Sequence, residues 1–227
     1  MKMISYYLMA LLLSLLMVSC GDDEPDDGGN SSSNKNYVDL GLPSGTLWAT
    51  CNVGASRPED YGNYFAWGET SPKDTYEWST YKWSDGDFAG YDFNKYNTDD
   101  DKAVLDLSDD AAYINWGPKW RMPSVNQWIE LQDECDWQWT TINGIDGYLV
   151  KSNYNKNSLF LPAAGIHRDG SLVEDAGSRG YYWSRELQND RYPAFAYHLY
   201  FKSGVVDCDY DIYSRHYGLS VRAVHVP

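Results

Sequence analysis

The sequence has few basic residues for its length. Lys and Arg number 18 against 33 Asp and Glu, and the formal net charge is -15. Proteins that hold nucleic acid place clustered Lys and Arg against the phosphate backbone, whereas here the basic residues are scattered among acidic ones. The charge balance therefore excludes nucleic acid as a partner and disfavours contact of the folded surface with an anionic membrane.

Long apolar runs are also missing, apart from one near the N-terminus. It extends from Leu8 to Val18, follows Lys2 and leads into Ser19-Cys20. The run is shorter than the ~20 residues that a spanning helix needs, and its basic start and small final residues are typical of a cleavable export peptide. Residues 1–19 are therefore interpreted as a bacterial lipoprotein signal peptide. Cys20 is predicted to carry acyl chains such as palmitate, which anchor the protein to a membrane.

Residues 20–36 are predicted to form a disordered tether, because this acidic, Gly- and Ser-rich segment has almost nothing apolar to bury. The acidic run after Cys20 resembles the signal that directs lipoproteins of Bacteroidetes to the outer face of the outer membrane. The alternative is a solvated spacer without a routing role. We expect an outer-membrane lipoprotein exposed on the cell surface.

Residues 37–227 have the composition of one folded domain, predicted to be α+β with mostly antiparallel sheet. The clearest helix begins after Ser124, which forms a capping box with Gln127, and its apolar stripe is core. A shorter helix is expected from Asp109 to Ile114, capped by Ser108 or Asp109. Strands are predicted over Gly147–Lys151, Ser158–Pro162, Ala194–Phe201, Val205–Ile212 and Gly218–Val226, with a hairpin turn at residues 202–204.

Cysteine is scarce, with three residues left after Cys20. Export places them in an oxidising compartment, so Cys51 is predicted to form a disulfide with Cys135, and two buried free thiols are the alternative. Closing this loop would stabilise the fold by up to about 4 kcal/mol on the chain-entropy model. Cys208 lies between Asp207 and Asp209, whose charges oppose thiolate formation.

Several sequence blocks resemble, in order, the landmarks of the Fibrobacter succinogenes major paralogous domain. The blocks are Val38–Ala55, Asp109–Ala112, Asn115–Gly117, Trp120–Ser124, Leu159–Gly165, Gly180–Ser184 and Gly218–Val224. The Arg-Met-Pro-Ser entry at Arg121 and the closing Gly-Leu-Ser-Val-Arg are also similar to formylglycine-generating enzymes. The resemblance implies a C-type-lectin-like fold, common on exported bacterial proteins and mostly without an assigned activity.

Two arginines stand out within these blocks. Arg121 and Arg222 lie in apolar settings near expected element ends, so we interpret both as structural arginines bonded to backbone carbonyls or a carboxylate. Ligand binding is the alternative. Asp109 and Asp110 are either their partners or helix N-terminal charges.

A calcium site is a weak prediction at Asp207, Asp209 and Asp211, which alternate along a predicted strand and so point to one face. Solvated carboxylates are the preferred interpretation. The Glu-Pro-Asn or Gln-Pro-Asp signature of calcium-dependent lectins is missing from the domain. We therefore expect no cofactor, with calcium as the open alternative.

Nothing in the sequence predicts an enzyme. The closely spaced C-terminal cysteine pair of formylglycine-generating enzymes is missing, since Cys208 stands alone there. No Gly-x-Ser-x-Gly or His-Glu-x-x-His motif occurs, although four histidines supply possible bases: His167, His198, His216 and His225.

One segment lacks the residue pattern of a buried strand or helix. The aromatic segment, residues 78–96, combines rings and acids without clear periodicity, and aromatic faces beside carboxylates are typical of carbohydrate or peptide recognition. Its candidate ligand-surface residues are Trp78, Tyr81, Trp83, Asp85, Asp87 and Tyr91. The alternative is an insertion anchored by its own aromatics. The sequence predicts a non-catalytic binding or adhesion domain for an extracellular carbohydrate or protein. The alternatives are a structural subunit of a surface assembly or a divergent enzyme.

Overall fold

The computed structural model describes residues 36–84, 92–97, 99–188, 193–208 and 212–226. The predicted signal peptide, Cys20 and the tether up to residue 35 lie outside this range. The strands are β1 (Tyr37–Asp39), β2 (Leu47–Ala49), β3 (Tyr64–Phe65), β4 (Trp120–Arg121), β5 (Cys135–Ile142), β6 (Ile145–Ser152), β7 (Ser158–Pro162), β8 (Ile166–His167), β9 (Val173–Glu174), β10 (Arg179–Leu187), β11 (Phe195–Lys202), β12 (Val205–Asp207), β13 (Ile212–Ser214), β14 (Leu219–Ser220) and β15 (Val224–His225).

The strands form four sheets, and antiparallel pairing dominates. The sheet orders are β1-β2-β15-β4, β12-β11-β10-β14-β3 with β13 also on β11, β5-β6-β7, and β8-β9. Between named strands of the described residues, only β10 and β14 pair in parallel. A β-rich, mostly antiparallel domain with few helices is therefore confirmed.

Two α-helices lie between the strands, α1 (Ala111–Trp116) and α2 (Val125–Glu134). The predicted capping box of α2 is confirmed: Gln127 N donates to Ser124 Oγ at 3.1 Å, and Ser124 N donates to Gln127 Oε1 at 2.9 Å. The predicted cap of α1 is wrong, because Asp110 accepts from the backbone N–H groups of Ala112 and Tyr113. Short 3-10 turns cover Trp78–Thr80 and Leu107–Asp109.

The β5–β6 hairpin was not expected from the sequence. Cys135, the C-cap of α2, is also the first residue of β5. The hairpin turns at Asn143-Gly144, with φ of 50° and 83°. Asn-Gly is a strong signal for this turn, since both residues tolerate positive φ.

Two predicted C-terminal strands are divided in the structure. The segment predicted as one strand from Val205 to Ile212 forms β12 and β13, which pair with different stretches of β11. The following segment forms β14 in the six-stranded sheet and then β15 in the four-stranded sheet. Arg222 therefore lies where the chain passes from one sheet to the other.

The core consists of two large clusters and a small one. Strand β10 contributes to both large clusters, because its side chains alternate: Tyr181 and Trp183 pack in the first, and Tyr182 packs in the second. The third cluster contains Ala66, Tyr76, Tyr81, Phe93 and Ala194. Two of its members, Tyr81 and Phe93, belong to the aromatic segment.

Candidate functional site

The structure divides the aromatic segment into buried anchors and partly exposed rings. Tyr81, Phe93 and Tyr96 are buried, so the prediction that Tyr81 is a ligand-surface residue is wrong. Its hydroxyl donates to Trp67 O at 2.7 Å. Trp78 and Trp83 are half-buried. Asp85, Asp87 and Tyr91 lie outside the described residues.

Arg215 is the main anchor of this segment. Its side chain is fully buried, and Nη1 donates to the carbonyls of Tyr96 and Pro193 at 2.9 and 2.8 Å. Nη2 donates to Lys95 O at 3.1 Å. The guanidinium carbon lies 4.4 Å from the ring centroid of Phe93. Arg215 therefore holds the aromatic segment against the strand β13 through hydrogen bonds and cation–π contacts.

An ion-pair network fixes the other side of the segment. Lys95 Nζ contacts Asp109 Oδ2 and lies 2.7 Å from Asp106 Oδ2. Burial alone would lower the pKa of Lys95, but hydrogen bonds to these two carboxylates raise it above its ordinary value. Lys82 Nζ lies 4.0 Å from the Trp83 ring centroid, and Trp83 Nε1 donates to Gly68 O at 3.0 Å. These contacts fix the position of the Trp83 ring in the folded domain.

Trp78 has a different environment, at the surface. Its ring centroid lies 4.1 Å from that of His216, and the His216 and Tyr217 rings are 4.5 Å apart. His216 Nε2 lies 2.8 Å from Asp169 Oδ1, and the Tyr217 hydroxyl donates to Asp169 Oδ2 at 3.3 Å. We call these four residues the Trp78 surface. It combines two half-buried aromatic rings with a carboxylate whose side chain is 63% exposed.

Backbone pairing holds the two halves of the Trp78 surface together. Tyr76 N donates to Gly170 O at 3.0 Å, and Gly170 N donates to Tyr76 O at 3.3 Å. Tyr76 lies two residues before Trp78, and Gly170 directly follows Asp169. Behind them, the Tyr76 ring stacks on His167 at a centroid distance of 4.7 Å. Backbone hydrogen bonds, and not side-chain contacts alone, therefore hold the turn of the β8–β9 hairpin next to the start of the aromatic segment.

Burial determines the charge state of His216. It lowers the pKa of the imidazole, which outweighs the raising effect of the hydrogen bond to Asp169. The neutral ring then carries its proton on Nε2, since that atom faces a carboxylate. Nδ1 is buried and has no hydrogen-bond partner among the described residues. His216 and Tyr217 therefore orient Asp169, whose side chain is still 63% exposed.

The Trp78 surface can bind a ligand more readily than it can transform one. An aromatic face packs against apolar C–H groups, and a carboxylate accepts hydroxyl or amine donors. A histidine–carboxylate pair can also act as a general base, but a base must reach the proton that it removes. His216 is 1% exposed, so in this conformation only its partner faces solvent.

The two predicted structural arginines bond to backbone carbonyls, as expected. Arg222 is fully buried, and its donors reach Asn52 Oδ1, Ala49 O and Phe160 O at 2.9, 3.0 and 2.9 Å. Arg121 is half-buried and donates to Pro118 O and Trp120 O. Asp109 and Asp110 bond elsewhere, Asp109 to lysines and Asp110 to backbone N–H groups. Arg222 therefore joins three segments, whereas Arg121 bonds to its own.

The predicted disulfide between Cys51 and Cys135 is not formed. Both side chains are buried thiols. Cys135 packs in the second core cluster, to which Cys51 does not belong, while the Cys51 thiol donates to Ala55 O at 3.6 Å. The Cys208 thiol lies 2.5 Å from Gln132 Oε1. Burial raises the pKa of Cys135 to about 11, so this thiol stays protonated.

The structure tests the candidate calcium site only in part. Asp207 ends β12, while Asp209 and Asp211 lie outside the described residues. In the part of the chain that the structure describes, no three His, Cys, Asp or Glu side chains come together as a metal site.

Sequence reasoning missed most of the Trp78 surface. Trp78 was predicted, and His216 was noted only as one of four possible bases. Asp169 and Tyr217 were not singled out, and neither was Arg215 as an anchor. These residues are far apart in the chain and share no periodic pattern. The backbone pairing of Tyr76 with Gly170 and of His167 with Gly218 brings them together.

Comparison with known proteins adds no relative. The chain matches no protein-family model, no curated protein and no solved structure. Among the helices of the described ranges, none has the length and apolar character to cross a membrane.

Proposed function

We propose that this chain is a lipoprotein of the outer-membrane surface whose C-type-lectin-like domain binds an extracellular carbohydrate through the Trp78 surface. The observation that carries the proposal is the position of Asp169. Its exposed carboxylate is oriented by buried His216 and lies beside the half-buried rings of Trp78 and Tyr217. An oriented acceptor next to aromatic faces is the combination that sugar hydroxyls and C–H faces use.

The charge of the protein narrows the class of carbohydrate. With a net charge of -15, the protein repels anionic sugars, and Asp169 adds a negative charge at the site itself. The ligand is therefore a neutral or amino sugar. The proposal needs no metal, since the rings and the carboxylate supply the contacts. A protein segment with an exposed apolar or amine-bearing side chain is the alternative ligand.

The lipid anchor and the fold class rest on the sequence. The proposed acylation of Cys20 places the ligand outside the cell, and the ordered blocks from Val38 to Val224 support the C-type-lectin-like fold. The mostly antiparallel sheets and two helices agree with that class at a coarser level.

A glycan array tests the proposal. The mature chain, produced without lipid as a Cys20→Ser variant, is applied with and without a calcium chelator. We expect binding to neutral or amino sugars that survives chelation. Trp78→Ala and Asp169→Asn should each weaken the affinity at least about tenfold, which is the loss of one good contact. Asn still accepts a hydrogen bond from His216, so this variant removes charge and little structure.

Matched variants separate the ligand surface from general damage. Trp116→Ala removes another half-buried tryptophan, which packs against Trp120, and should leave glycan affinity unchanged. The Trp83→Ala variant is a poor probe because Trp83 packs against two core clusters. Glycan binding that is unaffected by Trp78→Ala and Asp169→Asn, or binding lost on chelation, would refute the proposed site.

Catalysis remains the second candidate, favoured by the 2.8 Å contact between His216 Nε2 and Asp169 Oδ1. It requires a conformation in which the imidazole reaches a substrate. Turnover of any glycan that binds, lost in His216→Asn but not in Trp116→Ala, would favour this candidate over simple binding.

A further inference from the structure

Strand β5 is an open sheet edge. The three-stranded sheet has the order β5-β6-β7, and in the described part of the chain no other strand pairs with the outer side of β5. The strand is eight residues long, and each of its residues is paired with β6 in an unbroken register from Cys135↔Ser152 to Ile142↔Ile145. It therefore presents a long, regular edge without a bulge.

The other described sheet edges are short or carry proline. Strands β1 and β12 have three residues, and β3, β4 and the β8–β9 pair have two each. β7 has five residues and ends in Pro162, which has no N–H to donate. Short edges, prolines, lysines and bulges are the usual means of preventing edge pairing. β5 is long and has no proline, lysine or bulge. Its edge is therefore available for pairing with another strand, whereas the other described edges are not.

The hydrogen-bond pattern shows which groups of β5 face outward. Ala163 N donates to Asp146 O at 2.8 Å, so the backbone groups of Asp146 face β7 and not β5. Thr141, which lies opposite Asp146, must then direct its own N–H and C=O away from β6. By alternation, Trp137 and Trp139 do the same. Beyond Cys135, which also caps α2, these three residues thus offer a ladder of donors and acceptors at the open edge.

The side chains at this edge suit pairing with an identical strand. Trp137 and Trp139 lie on the core face, pack against Tyr148 and Phe201, and remain half-buried, so apolar ring surface is still exposed. Asp136 is the only charged residue in the strand. An exposed aromatic pair at an open backbone edge is a feature of protein interfaces.

We infer that β5 pairs antiparallel with β5 of a second copy of this chain, joining two three-stranded sheets into one of six strands. A two-fold axis perpendicular to the sheet at Trp139 keeps both core faces on the same side. This register sets Trp139 opposite its own counterpart and Trp137 opposite Thr141, so the outward-facing groups of these three residues are all used. Asp136 faces Ile142 and never another Asp136, which avoids like charges in register.

Net charge sets the salt dependence of this dimer. Two copies of charge -15 repel each other, whereas the ladder is made of backbone hydrogen bonds that salt screens little. Salt should therefore strengthen association. A basic extended peptide on the same edge would behave in the opposite way, since salt would weaken its attraction to the acidic domain.

Sedimentation analysis of the mature Cys20→Ser chain, over a wide concentration range and at low and high salt, tests the inference. We expect a monomer–dimer equilibrium that shifts toward dimer as salt rises. Thr141→Pro removes an outward N–H without removing a β5–β6 hydrogen bond, and because the two-fold axis uses that N–H twice, dimerisation should weaken roughly tenfold or more. Thr141→Val loses the same hydroxyl but keeps the N–H, and should dimerise like the parent chain.

A chain that stays monomeric at every concentration and salt would overturn the inference, as would equal dimerisation of Thr141→Pro and Thr141→Val. Circular dichroism and thermal unfolding of each variant confirm that it is folded before its dimerisation is compared. Should Thr141→Pro fail to fold, a Trp139→Lys variant gives the same decision, since it places two like charges face to face on the axis. A monomer that binds a Lys-Thr repeat peptide on this edge, less tightly at high salt, would also overturn the second copy as occupant. The dimer and the Trp78 surface are tested separately, because glycan affinity does not involve Thr141.

Discussion

Arg215 Nε donates a hydrogen bond to the Tyr81 hydroxyl at 2.9 Å, and both side chains are buried. The two residues are 134 positions apart in the chain. The same hydroxyl donates onward to Trp67 O at 2.7 Å, so one oxygen joins the aromatic segment, the C-terminal part of the chain and the region after β3. Burial raises the pKa of Tyr81 well above its ordinary value, so the hydroxyl keeps its proton.

Tyr81→Phe should destabilise the protein by about 2 kcal/mol, because it leaves a buried guanidinium N–H and the Trp67 carbonyl without this partner. Urea unfolding followed by tryptophan fluorescence measures the change. Tyr154→Phe removes an exposed hydroxyl that donates to Glu134, and should change stability by less than about 0.5 kcal/mol. Equal effects in the two variants would contradict the anchoring role of Tyr81.

The two structural arginines should respond differently to lysine. Lysine cannot reproduce the planar fork with which Arg222 bonds to Asn52, Ala49 and Phe160. We expect Arg222→Lys to cost about 3 kcal/mol or more, in line with losses at buried charged groups. Arg121→Lys should cost less than about 1 kcal/mol, because Arg121 is half-buried and bonds only to nearby carbonyls. Thermal unfolding of both variants measures the two losses of stability. A larger loss in Arg121→Lys than in Arg222→Lys would contradict the prediction.

The three domain cysteines should be found as thiols. Mass spectrometry of the denatured, alkylated domain should show three modified cysteines without prior reduction, and a reductant should leave the melting temperature unchanged. The buried thiol of Cys135, with a pKa of about 11, should react slowly in the native protein. A mass lower by two hydrogens, together with a melting temperature that falls when reductant is added, would instead support the Cys51–Cys135 disulfide.

Stability should decrease as the pH falls below about 6.5. Burial lowers the pKa of His216 in the folded state, so the unfolded chain binds a proton first. The contribution is present above the unfolded pKa of 6.5 and is lost as the pH falls toward the folded pKa. Carboxylates whose pKa is lowered in the folded state, such as Asp109, change the stability only at pH values below their ordinary pKa of 3.8.

Urea unfolding near pH 7.5 and near pH 5.5 brackets this histidine window. His216→Asn should reduce the pH dependence without abolishing it, since burial also lowers the pKa of His167 and His225. A pH dependence that is identical in the variant and the parent chain would show that His216 titrates normally.

Local features were predictable from the sequence wherever neighbouring residues determine them. The capping box of Ser124 and Gln127 depends on residues three positions apart, and it was predicted correctly. The β6–β7 strands and the turn before Gly204 follow from apolar runs and turn residues. The cap of α1 was mispredicted because Lys95 and Lys82 draw the neighbouring Asp109 into ion pairs, which leaves capping to Asp110.

The candidate site was predictable only in part. Tyr81 and Trp78 lie three residues apart in an aromatic segment without periodicity, so the sequence could not tell which ring faces inward. Arg215 settles this by drawing the Tyr81 hydroxyl into the interior, while Trp78 packs on His216 at the surface. Composition reveals that aromatic and acidic residues are present, but not which of them meet.

The sequence by itself predicts an export signal, an acidic tether and no nucleic-acid partner, and it determined the β-rich class with its main helix, because each depends on composition or short-range pattern. Tertiary structure alone decided that no disulfide joins Cys51 to Cys135, that Asp169 meets His216, and that no other described strand covers the edge of β5. These outcomes depend on which distant strands pair. Strand pairing is set by the packing of the whole core, since a local segment does not specify its partner.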